Sequence, residues 1–146
     1  FYTHEKLQGG KTITVNAPLS HIPAYVKSNS FLLTGDIYKG NKKAWQPADR
    51  SSHVDITFHP GTGKGEFDFI DAQQENKKIL LTAVVDDKKI NLVIPAISYA
   101  GTIKIFADTK PKDIFINKKK IRAIYENDFV VINREANKNF AVEIIR

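Results

Sequence analysis

The sequence predicts an all-β chain: an antiparallel β-sandwich of about 94 residues, preceded by a few strands of a second, truncated sandwich. Three observations predict it. Apolar residues recur at every second position in run after run, the spacing of a strand with one buried face. The runs are rich in β-branched and aromatic residues, which suit a pleated, half-buried surface. Turn-forming residues interrupt them at short intervals, the rhythm of a sandwich or barrel. No stretch long enough for a helix has helical spacing.

Taken in order, Thr12–Asn16, Ala24–Lys27 and Phe31–Thr34 read as three short strands. Gly35–Ser52 carries two Gly, one Pro and no periodicity, and reads as a linker or long loop. Three short strands leave edges open and enclose little core. Residues 1–48 are therefore expected to be the remnant of one sandwich plus a linker, and residues 49–146 a complete one. The second unit starts with Val54, Ile56 and Phe58, turns at Gly61-Thr62-Gly63, and continues in a strand ending near Asp68–Asp71. Ile79, Leu81, Ala83 and Val85 alternate next, then Ile90, Leu92 and Ile94 after the turn Asp86-Asp87. Ile103 with Ile105, Ile114 with Ile116, Val130 with Ile132, and Phe140, Val142 and Ile144 complete eight or nine strands. Asn117-Lys118, Glu126-Asn127-Asp128 and Asn137-Lys138-Asn139 supply the later turns.

Composition bounds the function. At 146 residues the chain is long enough to bury about two-thirds of its unfolded surface. Hydrophobic residues are 42% and charged ones 26%, ordinary globular usage. There is no cysteine, which removes disulfides, thiolate metal sites and cysteine nucleophiles. The missing cysteine fits reducing and oxidising compartments alike; the expectation leans to the periplasm or the cell exterior. No apolar run approaches the ~18–20 residues of a membrane-spanning helix, so no membrane partner is expected. The sequence opens on Phe1 and lacks Met, and is read as a processed or excised piece. Net charge is +6 and pI about 9.4. Lys42-Lys43, Lys77-Lys78, Lys88-Lys89 and Lys118-Lys119-Lys120 fall at turns rather than along one stripe. Lysines so placed protect sheet edges, and no nucleic-acid partner is expected.

Few residues point to chemistry. His4, His21, His53 and His59 have no ligand spacing. His53 and His59 would sit roughly 20 Å apart on one face of a strand, too far to share a metal. Asp68, Asp71, Asp86 and Asp87 lie at strand ends and turns, where carboxylates bond local N–H groups rather than face each other across a glycosidic bond. Gly61–Gly65 has glycines and a lysine but lacks the phosphate-loop spacing, and no helix follows; it reads as a hairpin turn. No catalytic residue, cofactor site or metal site is therefore assigned. Tyr38 and Trp45, in the polar linker, are the candidate sugar contacts, because an aromatic face stacks on the C–H face of a sugar. Trp45 pinning the linker to a sandwich is the simpler alternative.

The run Gly9–Leu19 followed by His21–Lys27 resembles a segment of glycoside hydrolase family 31, the α-glucosidases and α-xylosidases, in the sandwich just after the catalytic barrel. Phe1–Glu5 is similar to the end of the preceding family strand. Ile56–Gly61 with Gly65–Phe69 resembles the start of the distal C-terminal sandwich, and Tyr99–Gly101 and Pro111–Asn117 resemble its later part. Lys27 stands where the family usually has Arg, Asn29 where it has Gly, and Phe69–Ala72 replaces its acidic turn. Asn is the residue type that tolerates the left-handed backbone a Gly permits. Arg122–Arg146 lies beyond the pattern and reads as an added strand pair.

The resemblance implies a non-catalytic C-terminal accessory domain of a retaining α-glycosidase. Its partner would be the catalytic (β/α)8 barrel, which carries the family's catalytic aspartates. A carbohydrate-binding sandwich, with Tyr38, Trp45 or Tyr99 as stacking platform and carbohydrate as partner, is the alternative. A structural sandwich devoted to protein contact is a third.

Overall fold

In a computed structural model the described residues are 7–16, 18, 20, 23–35 and 53–146. Tyr38, Trp45, His4, His21 and the linker residues 36–52 lie outside them, as does the expected boundary at residues 48 and 49.

Eleven strands and no helix occupy the described residues: β1 (Ser30–Gly35), β2 (Val54–His59), β3 (Gly63–Asp71), β4 (Lys77–Val85), β5 (Lys89–Ile94), β6 (Gly101–Phe106), β7 (Asp113–Ile116), β8 (Lys119–Ile121), β9 (Ile124–Glu126), β10 (Phe129–Arg134) and β11 (Phe140–Ile145). One sheet has the order β1-β2-β6-β10-β9, the other β3-β4-β5-β11-β7-β8. They form an all-β sandwich. Every pairing is antiparallel except β2 with β6, where Ile56, Thr57 and Phe58 run parallel to Ile103, Lys104 and Ile105.

Period-two alternation fixes which residues face inward. Val54, Ile56 and Phe58, with Ile103, Ile105, Val130 and Ile132, are buried from the first sheet. Ile79, Leu81, Ala83, Val85, Ile90, Leu92, Ile94, Val142 and Ile144 meet them from the second. Each such side chain contributes roughly 1.5–3 kcal/mol by leaving water, so this layer dominates the stability. The later turns follow the residues marked for them. Asn117 and Lys118 have φ 49° and 68°, and Asn127 and Asp128 49° and 63°, the left-handed pairs that two-residue hairpins require. At the β4–β5 hairpin, Asp86 Oδ1 accepts from the Lys88 and Lys89 N–H groups at 2.8 Å each.

Several expectations change. Thr12–Asn16 and Ala24–Lys27 are not strands: no described strand lies beside them to complete a ladder, and Ile13, Val15 and Tyr25 stay 44–56% exposed. Phe31–Thr34 is a strand, but it belongs to the edge of the five-stranded sheet through β2, with Phe31 in the common core. Gly61–Thr62 is not a hairpin turn, because β2 and β3 lie in different sheets and the segment carries the chain between them. Nor is Arg122–Arg146 an appended pair. β10 sits between β6 and β9 in one sheet, and β11 between β5 and β7 in the other.

Candidate functional site

One concave surface among the described residues begins with Asn29. Its φ of 58° places it in the left-handed region, as its replacement of a glycine implies. That conformation turns the side chain toward the β2–β3 crossing. Its Oδ1 accepts from the Gly61 N–H at 2.8 Å and its Nδ2 donates to the Thr62 carbonyl at 3.1 Å. The Asn29 N–H donates to the His59 carbonyl at 2.7 Å. Close approach is possible because residue 65 is glycine: a Cβ there would lie 2.4 Å from the Asn29 carbonyl oxygen. The lead-in to β1 is thus fastened to the β2–β3 crossing, and an open groove of about 440 Å³ runs between it and β3. Lys27, Ser28, Ser30, Lys64, Glu66 and Phe67 line it.

A second polar cluster closes one end of the sandwich. Asp71 is fully buried; its Oδ2 accepts from the Ser98 N–H at 2.7 Å and from Gln74 Nε2 at 3.1 Å, and its Oδ1 from the Gln73 N–H at 3.0 Å. Burial pushes its pKa up, but the Ser98, Gln73 and Gln74 donors outweigh it and hold the carboxyl below its ordinary range. Arg134 is buried as well, donating through Nη2 to the Val54 carbonyl at 2.9 Å and through Nη1 to that of Tyr99. Burial lowers its pKa, and the nearby Asp55 opposes the shift. Asp55 in turn accepts from both the N–H and the hydroxyl of Thr102 at 2.8 and 2.9 Å. These groups tie strand ends together and offer no face to a ligand.

The aspartates singled out from sequence therefore separate. Asp68 is on the outer face, 2.8 Å from Lys78 Nζ, while Asp71 points into the sandwich three residues on, as opposite strand parity dictates. They do not face a common substrate. Tyr99 is not a stacking platform: it is 1% exposed and packs edge-on against Phe69, with ring centroids 6.1 Å apart. Burial, then Asp71, raise its pKa. His53 is exposed just before β2, and His59 is half-buried beside Phe106 and Phe129, at 6.0 and 5.9 Å between centroids. Among the described residues no three His, Asp or Glu side chains gather as a metal would need.

Sequence reasoning marks Asn29 for its left-handed backbone but misses its bonds to Gly61 and Thr62, and it misses Arg134 and the groove. Parity marks Arg134: it continues the inward series Val130, Ile132 by one step, as Asp71 continues Phe67, Phe69. No signal marks the groove, which is assembled from segments more than thirty residues apart.

No protein-family profile and no curated protein sequence matches the chain. Solved structures do. A glycoside hydrolase family 31 dextranase of Flavobacterium johnsoniae, solved with isomaltotriose, superposes with TM-score 0.71 at 22% identity over 98% of this chain. The fold is shared with part of that enzyme. The chain spans only 22% of the dextranase. An uncharacterised protein of Listeria monocytogenes matches over 94% of the chain at TM-score 0.67 and 16% identity, with 15% of its own length covered. A cycloalternan-forming enzyme of the same organism matches over 64% at TM-score 0.54 and 14% identity, with 10% of its length covered. The shared fold agrees with the fold that the residue resemblance implies.

Proposed function

We propose that this chain is a non-catalytic C-terminal accessory domain of an α-glycoside hydrolase of the family 31 type, held against a catalytic barrel elsewhere in the parent protein. One observation carries the reading: nearly all of the chain superposes on less than a quarter of a dextranase. A whole enzyme would match a larger share.

The chemistry of the described residues supports a supporting role. The buried Asp71 carboxylate is bonded to backbone N–H groups and to Gln74, and both Nη groups of the buried Arg134 to backbone carbonyls. Asp68 and Glu143 are paired with Lys78 and Lys89 on the surface. Paired lysines also speak against a polyanion partner, since Lys120 and Lys138 are likewise bridged to Asp113 and Glu135. Leu7, Ile13, Val15 and Tyr25 lie exposed upstream of β1 and are the residues a neighbouring domain would cover.

Incubating the purified chain with an aryl α-glucoside or α-xyloside tests the non-catalytic reading. No release of the phenol above a heat-killed control is expected; turnover overturns it.

A further inference from the structure

We infer that the outer face of the six-stranded sheet, centred on Leu80, Val84 and Val93, is a second contact surface for the neighbouring part of the parent protein. The inference rests on the accessory-domain reading above and gives that contact a place on the sandwich itself.

Strand parity builds the face. Leu81, Ala83, Leu92 and Ile94 point into the core, so Leu80, Val84 and Val93 point out, and they are 45–50% exposed. Register brings them together. Val93 lies opposite Thr82, which stands between Leu80 and Val84 on β4, and Ala141 pairs with Val93 from its other side. The solvent side of an antiparallel sheet is usually polar. Yet of the five large apolar side chains that the described strands leave exposed, Ile70, Leu80, Val84 and Val93 share this face, and only Ile124 belongs to the other sheet.

Charge and size narrow the occupant. Lys78 is bridged to Asp68 and Lys89 to Glu143 at the border of the patch, and Lys64 and Glu66 on β3 have opposite signs. No surplus of either sign is left for a polyanion or an anionic membrane. What remains is aliphatic, which suits another protein surface. Three half-exposed side chains offer a small part of the ~800 Å² per partner that a stable complex of separate molecules buries. A domain tethered in the same polypeptide needs less, because the link holds it at an effective concentration of about millimolar. The patch also adjoins the exposed segment upstream of β1. Lys64 and Glu66 stand opposite Val84 and Thr82 on this face, and they line the groove whose other wall includes Lys27 and Ser28 of the lead-in. One neighbour can therefore cover both. In the dextranase this fold occupies 22% of the chain, so a parent of that kind contains such a neighbour.

Hydroxyl-radical footprinting of the parent protein beside the isolated chain tests this. Leu80, Val84 and Val93 are open to the reagent in the isolated chain, and a packed contact in the parent should cut their labelling at least about threefold. Ile124, on the other sheet, should label equally in both. Val93→Lys, at an exposed position, should leave the Tm of the isolated chain within about 2 °C and return Leu80 and Val84 in the parent toward the isolated level. Equal labelling of the three residues in both proteins overturns the assignment. So does protection at Ile124 as strong as at Val93, or protection in the isolated chain that grows with its concentration, the mark of a second copy. Protection of Leu7 and Ile13 alone defeats this inference and leaves the accessory-domain reading standing. Turnover of an aryl glycoside by the isolated chain defeats that reading instead, whatever the footprint.

Discussion

Replacing Asn29 tests how the lead-in to β1 is held. Asn29→Ala removes the acceptor for the half-buried Gly61 N–H and the donor to the exposed Thr62 carbonyl. Together these are worth about 1.5 kcal/mol. It also forces an alanine to keep φ near 58°, which costs about 1 kcal/mol more than it costs asparagine. The expected loss is about 2.5 kcal/mol, or roughly 5–8 °C in Tm for a chain of this size. Asn29→Gly loses the same two hydrogen bonds but accepts the left-handed backbone freely. The strain it relieves and its larger unfolded-state entropy roughly cancel, so it should lose about 1.5 kcal/mol, less than alanine. Urea unfolding of the three proteins at constant m-value separates the contributions. Equal losses for Ala and Gly would refute the role given to the backbone conformation. A loss under about 0.5 kcal/mol in both would refute the role given to the side-chain bonds.

The polar end of the sandwich gives further expectations. The Asp71 pKa lies below its ordinary 3.8 in the folded protein, so its stabilisation is complete above the unfolded value and is lost as pH falls through the folded one. Asp71→Asn should cost about 2 kcal/mol at pH 7 and flatten the acid fall in Tm; an unchanged fall contradicts the assignment. Tyr99→Phe removes a buried hydroxyl that has no hydrogen-bond partner in the structure, and should be neutral or stabilise by up to about 1 kcal/mol in thermal unfolding. A loss above about 1 kcal/mol would show that the hydroxyl is satisfied. Gly101→Ala would bring a Cβ within 2.1 Å of the Val54 carbonyl oxygen at φ 155°, and should lose at least about 2 kcal/mol in the same assay.

Most of the sandwich could be read from alternation, because one buried face imposes a two-residue period that a single sequence displays. β2, β4, β5, β6, β10 and β11 all carry three or more inward positions, or two flanked by turn residues, and each was found. The three-residue β8 and β9 are too short to show a period. Thr12–Asn16 shows the opposite failure. It alternates as a strand should, yet a strand also needs a neighbour to bond with, and residue spacing does not report neighbours. Sheet assignment was hidden for a related reason: Gly61-Thr62 looks the same whether the chain turns back within a sheet or crosses to the other. The groove depends on Asn29 meeting Gly65 across that crossing, a pairing of distant segments that only the folded chain shows.

The interior placement of β10 and β11 sets the order in which the molecule can be made. During synthesis β6 has no β10 beside it, and β5 has no β11, until residues 129–145 leave the ribosome. Until then β6, β5 and β7 present open inner edges and β9 has no strand to pair with, the state most prone to pair with a neighbouring chain. Closing the two sheets requires β10 and β11 to pair with strands distant in sequence, and topologies of that kind assemble slowly. A nascent chain of this protein therefore has its longest exposure to chaperones and aggregation just before its final strands emerge.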